Sequence, residues 1–254
     1  TVGGLFGRLV VSAITDFVSW RMGLIVIGIL YLAVGIAFFM LLPKPKYQRQ
    51  RQSGGLQLIK TFHTALANKK LLWIYLVAFL IMGSFVAVFN FISYVLLAPP
   101  YSLSQTVVGL LFVVYLFGTF SSTYMGRLSD QHGNGRVLIL GLLIMLTGGL
   151  LTLLQPLVFK FIGLAIFTFG MLGSHSVACG WVGKLNQGDK AQSSSMYMFF
   201  YYAGASSLGT LGGVFLESYG WSGVIGMVAA AVIICLLVVV RLELAVSQHL
   251  LWHH

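Results

Sequence analysis

Acidic side chains are nearly missing from this chain: Asp and Glu number 5 in 254 residues, and all charged residues make up 8%, where a soluble domain carries about 25%. A surface facing water cannot be built from so few charges, which excludes an ordinary soluble domain. Cysteine is scarce too. Cys179 and Cys235 each fall in an apolar stretch with no CxxC or Cys/His ligand spacing, so neither a disulfide framework nor a metal site is expected, and no cofactor is expected. No HExxH pair, GxSxG elbow or GxxxxGK[ST] loop occurs, and with them go the usual signatures of a metallopeptidase, a serine hydrolase and a nucleotide-driven pump within this chain. Ser174, His175 and Ser176 are adjacent, and neighbours on a helix point in different directions, so they form no Ser-His dyad. An enzyme is therefore not expected.

What is present is apolar sequence: 58% of residues are hydrophobic and the mean hydropathy is +0.94. It comes in blocks of about 20 residues, the length a helix needs to cross a hydrocarbon core of ~30 Å. Eight transmembrane helices are predicted, at roughly 1–19, 22–42, 71–97, 105–125, 137–154, 157–180, 194–216 and 221–240. They are punctuated by Trp20-Arg21, Pro43 to Lys70, Pro99-Pro100, Gly126 to Arg136, Gln155-Pro156, Gly183 to Ser193 and Tyr219-Gly220. The chain opens on Thr1 with no basic n-region or cleavage pattern, and the expectation is that further helices precede it.

The net charge of +10 would suggest nucleic acid in a soluble protein, but the basic residues lie between the apolar blocks with no aromatic interleaving, and nucleic-acid binding is not expected. With alternating sides, 12 of the 15 basic residues fall on one side, and Arg21 and Lys160 on the other. That bias predicts a cytoplasmic 43–70 connection and a cytoplasmic C-terminus. The connection carries seven basic and no acidic residues. Part of it, Leu56 to Leu66, suits either a surface-lying amphipathic helix or a solvated linker facing anionic headgroups. Gly3 and Gly7 before Trp20, and Gly209 and Gly213 before Trp221, form a partial repeat of small-xxx-small spacings. Together with the long basic linker, the repeat suggests a division into 1–42, the end of a first half; 43–70, a basic linker; and 71–254, a six-helix second half with a short tail.

The connection Gly126-Arg127-Leu128-Ser129-Asp130-Gln131-His132-Gly133-Asn134-Gly135-Arg136 resembles the loop signature of the major facilitator superfamily, with Asn134 and Gly135 where basic residues are usual. Gly3 to Leu9, Met82 to Phe85 with Phe89-Asn90, Ser104 to Leu111, His175 to Ala178 and Gly209 to Phe215 extend the likeness along the whole chain to YnfM-type inner-membrane transport proteins of Gram-negative bacteria. The resemblance implies an all-α membrane bundle of twelve helices, eight of them here. It also implies a multi-pass place in a bacterial inner membrane and alternating access with a small-molecule substrate, usually driven by protons and often outward. By the same resemblance, related bacterial members are often exporters of drugs or small metabolites. The loop would then act as a gate through Gly126, Arg127, Asp130, Gly133 and Arg136, with Asp130 paired to Arg127 or Arg136. The competing expectation is a truncated fragment that associates with other membrane proteins and transports nothing.

Ionisable residues at bilayer depth are costly and mark functional sites by default. Arg8 is such a residue, suited to an anionic substrate or to satisfying a neighbouring helix; Asp16 lies nearer the outer end. His175, flanked by two serine hydroxyls, is the proton-binding candidate because histidine ordinarily titrates near about 6.5; a neutral hydrogen-bonding imidazole is the alternative. Asn90, Ser93 and Tyr94 form a polar patch on the third span, and Tyr201 and Tyr202 add hydroxyls on the seventh, each suited to a cavity lining or to packing.

Overall fold

The computed structural model describes residues 20–42, 68–185 and 190–251. Among the described residues seven α-helices carry the fold: α1 (Trp20–Leu41), α2 (Lys69–Leu97), α3 (Gln105–Leu110), α4 (Tyr115–His132), α5 (Asn134–Leu151), α6 (Leu157–Leu185) and α7 (Lys190–Leu251). A 3₁₀ turn, Leu111–Val114, joins α3 to α4. The span expected at 105–125 is thus an interrupted helix that continues to His132. The first expected span lies outside the described residues.

Local chemistry sets the ends. The Asn68 side chain accepts from the backbone N–H of Lys70 at 3.0 Å, capping α2, and Pro99-Pro100 cannot extend it. Ser104 caps α3. Between α4 and α5 only Gly133 leaves the helical path, with φ 90°, a conformation that favours glycine. The expected loop from Gly126 to Arg136 is therefore two helix ends and a one-residue turn, because that glycine reverses the chain without a longer connection.

The break in α7 is at Gly220, with φ 65° and ψ −157°. Gly204, before it, lies against Phe79, and the Cys235 thiol, after it, faces the Val77 carbonyl at 4.0 Å. Residues nearly equidistant from the break meet the same turn of α2, so the chain folds back at Gly220 and the two arms are the separate spans expected on either side of it.

α2 is the central helix: Leu71, Ile74, Val77, Ala78, Ile81, Val88 and Ile92 are all buried. Its close neighbour is α7, while α5 and α6 form a second tight pair. The outward faces are apolar, with Leu143, Val158, Ile162 and Phe199 exposed; such a surface calls for lipid as its solvent. α1 is apolar and exposed along nearly its whole length and packs against none of the other described helices.

One polar cluster ties down the end formed by the α5–α6 hairpin and Gly220. Lys160 is 4% exposed and its Nζ donates to the Thr152 carbonyl at 2.5 Å. The Trp221 indole N–H donates to Thr152 Oγ1 at 3.1 Å, and the Tyr101 hydroxyl donates to the Gln155 carbonyl. Lys160, placed by the sequence between the apolar blocks on the less basic side, is buried in the first turn of α6, where its ammonium satisfies a helix-terminal carbonyl.

Candidate functional site

His175 lies two-thirds of the way along α6 and meets the first arm of α7. Its Nδ1 is 3.0 Å from the hydroxyl oxygen of Tyr197, and that same oxygen is 3.4 Å from the His175 carbonyl oxygen. Tyr201, one helical turn beyond Tyr197, lays its ring 4.5 Å from the imidazole, centroid to centroid. Tyr197 and Tyr201 are buried and His175 half-buried.

The chemistry of this arrangement follows from what each atom offers. A neutral imidazole nitrogen without hydrogen accepts a bond from the Tyr197 O–H; a protonated ring donates from Nδ1 to the Tyr197 oxygen. In the second case the hydroxyl hydrogen is free to turn toward the His175 carbonyl. One rotating hydroxyl therefore serves Nδ1 in both protonation states, donating to the neutral ring and accepting from the charged one.

The hydroxyls flanking His175 do not take part. Ser176 Oγ donates to the Ser122 carbonyl on α4 at 3.1 Å, and Ser174 Oγ is buried beside Gly141. The expected absence of a Ser-His dyad fits this geometry, and the flanking hydroxyls do not serve the imidazole in another way either: successive side chains on a helix diverge by about 100°, so only one of the three faces α7. Tyr197 was missed; its signal is the one-turn spacing from Tyr201.

Tyr202 touches Tyr201 edge-on at 5.4 Å but is itself 64% exposed. Asn90 and Tyr94 lie on the surface of α2, Tyr94 at 65% exposure and near Phe91; no hydrogen bond or ring contact among the described residues joins them to His175. Arg8 and Asp16 lie outside the described residues.

At the opposite end from the Lys160 cluster, Asp130 on α4 accepts from Lys184 on α6 at 3.2 Å, and Lys184 also donates to Asn134 Oδ1 at 3.1 Å. Arg136 faces Glu243 on the second arm of α7 at 4.0 Å. The expected pairing of Asp130 with Arg127 or Arg136 is thus replaced by pairs between helices distant in sequence, because the continuous helix through Arg127 and Asp130 aims the carboxylate at α6. Ser129 Oγ closes on the Gly126 carbonyl at 2.7 Å, and Arg127 is exposed. An exposed ion pair contributes at most about 1 kcal/mol to stability. Asp130→Asn and Lys184→Gln should accordingly leave thermal stability nearly unchanged. If the pair acts as a gate, each lowers transport, the double variant is no worse than either single one, and Asp189→Asn, outside the described residues, has less effect. Wild-type transport in both single variants would leave Asp130 without a gating role.

The sequence model of the Major Facilitator Superfamily matches residues 83–249. The chain is 40% identical over 237 residues to YybF, an uncharacterized MFS-type transporter of Bacillus subtilis, covering 92% of this chain and 58% of that protein. It is 40% identical over 243 residues to the inner membrane transport protein YnfM of Escherichia coli, covering 96% and 58% respectively. An uncharacterized transporter of Buchnera aphidicola from Schizaphis graminum is 35% identical over 243 residues, 96% of this chain and 59% of the relative. The chain thus spans less than two-thirds of the length of these relatives. With a matching model over most of the chain and an all-helical fold built to lie in lipid, the protein belongs to the major facilitator superfamily.

Proposed function

We propose that this chain is the larger part of a proton-coupled secondary transporter that exports small molecules by alternating access, with His175 as a proton-binding group. The observation that carries this reading is the Tyr197 hydroxyl set between His175 Nδ1 and the His175 carbonyl. It supports a group that changes protonation inside a bundle where unpaired polar atoms are expensive. Family membership supports secondary transport. Arg8, Asn90, Tyr94, Tyr201 and Tyr202 are proposed along the substrate or proton pathway, and the pair of ionic contacts around Asp130 and Arg136 as the gate. The test is accumulation of candidate solutes by the complete protein in everted vesicles: a protonophore should abolish it. Accumulation unchanged by the protonophore would end proton coupling.

The two-half division at the 43–70 linker, and a cytoplasmic linker and C-terminus in a bacterial inner membrane, complete the proposal. Ser102 and Gln131 are both exposed, at opposite ends of the bundle. In a cysteine-free background, Ser102→Cys should react with an impermeant thiol reagent on intact cells and Gln131→Cys only after permeabilisation. The reverse pattern would invert the orientation.

A second reading has its own observation: α1 is uncovered by the other described helices, as expected of a fragment whose partners are other membrane helices. Transport by the complete protein but not by this chain alone would support it.

A further inference from the structure

At the end of the bundle that carries the Asp130–Lys184 and Arg136–Glu243 pairs, the first turn of α2 and the last turns of α7 enclose a groove of about 380 Å³. Its wall is apolar, with Trp73, Ile234 and Leu237 all substantially exposed. Lys69, Lys70 and Arg241 also line it, and among the described residues no carboxylate does. We propose that this groove binds an anionic phospholipid, its phosphate held by Lys69, Lys70 and Arg241 and an acyl chain laid against Trp73, Ile234 and Leu237.

Charge and shape together select this occupant. Three cations with no acid among the lining residues leave a positive site that an anion neutralises. A small hydrated anion would gain nothing from the apolar wall, whereas a lipid places its headgroup at the cations and its chain beside the wall. Trp73, one turn into α2, has the amphipathic ring that settles at headgroup depth. The chain's own preceding segment is a poor occupant: residues 43–67 hold Lys44, Lys46, Arg49, Arg51 and Lys60 and no acid, so like charges oppose it. The groove's existence does not depend on the orientation proposed above; only the leaflet does, and that orientation puts it in the cytoplasmic one.

The experiment is native mass spectrometry of the complete protein, delipidated in detergent and given equal amounts of phosphatidylglycerol and phosphatidylcholine. Phosphatidylglycerol should be retained preferentially. Each basic residue near a charged membrane surface contributes about fivefold in affinity, so K70Q/R241Q should weaken phosphatidylglycerol retention by about 25-fold. The control R127Q/K190Q, which removes two cations outside the groove, should match wild type. Leu237→Trp, which narrows the acyl seat and keeps the cations, should also lower retention. Glycerol phosphate without acyl chains should not displace the lipid. Equal retention of both lipids, an undiminished K70Q/R241Q, an equal loss in R127Q/K190Q, or displacement by glycerol phosphate would each overturn the assignment.

Discussion

Replacing His175 with glutamine is expected to abolish proton-driven accumulation by the complete protein while leaving downhill exchange intact. Glutamine keeps comparable size and hydrogen-bonding capacity toward Tyr197 but cannot carry a proton at any working pH. The substitution therefore separates a coupling role from a packing role. His175→Ala should lose accumulation as well, with some loss of stability, since it leaves the buried Tyr197 hydroxyl without its 3.0 Å partner. Tyr197→Phe should keep the ring and remove the hydroxyl. A hydrogen bond to a charged group contributes about 1.5–3 kcal/mol, so accumulation should fall about tenfold or more without loss of folded protein. Vesicles with an imposed proton gradient measure the accumulation, and isotope exchange at zero gradient measures the downhill step. If His175→Gln accumulates substrate normally and only His175→Ala is poorly folded, the imidazole is a structural hydrogen-bonding group and coupling lies elsewhere.

The helices were legible because lipid imposes a length and an apolar composition on any segment that crosses it. The expected limits near 71 and 97 are set by capping and breaking residues that act locally, Asn68 and Pro99-Pro100, whereas α6 runs on to Leu185, past the expected 180. Where a long-range contact decides, the sequence is silent. Nothing local to Asp130 indicates that Lys184 is its partner, nor that Arg136 faces Glu243. A basic residue near a span's edge reads as exposed, and Lys160 is buried only because Thr152 and Trp221 come together beyond the hairpin. His175 was readable as the histidine deep in a span; its hydroxyl partner was not, since Ser174 and Ser176 are adjacent in the chain and Tyr197 is across a helix interface. Small-residue spacing carried real information at Gly209 and Gly213, which approach Val86 and Phe91 of α2. A second close seam uses glycines seven residues apart rather than four, a spacing less distinctive in a chain with 30 of them.

That seam joins α5 to α6 and should be highly sensitive to substitution. Gly141 faces Gly170 and Gly148 faces Gly163 across antiparallel helices, each pair in backbone contact. A Cβ on Gly170 would lie 2.7 Å from the Gly141 carbonyl oxygen and 2.8 Å from Met145 Cα; one on Gly148 would lie 2.8 Å from the Gly163 carbonyl oxygen. The obstructing atoms are backbone, so no rotamer change relieves the contact and the helices must separate. Overpacking of this kind costs about 1–3 kcal/mol for a single methyl and more for a larger group. Gly170→Ala and Gly148→Ala should therefore lower the melting temperature of the purified complete protein by several degrees, and Gly170→Leu should yield little monodisperse protein. Gly180, on the same helix α6, has no atom within 4 Å of an added Cβ; there alanine gains up to about 1 kcal/mol of helix propensity, so Gly180→Ala should be neutral or stabilising. The contrast matters for the site, because His175 is little more than a turn beyond Gly170 and α6 is held against α5 through these glycines. Thermal unfolding monitored by size-exclusion chromatography decides it: Gly170→Ala as stable as Gly180→Ala would mean that the two helices are not in backbone contact at this seam.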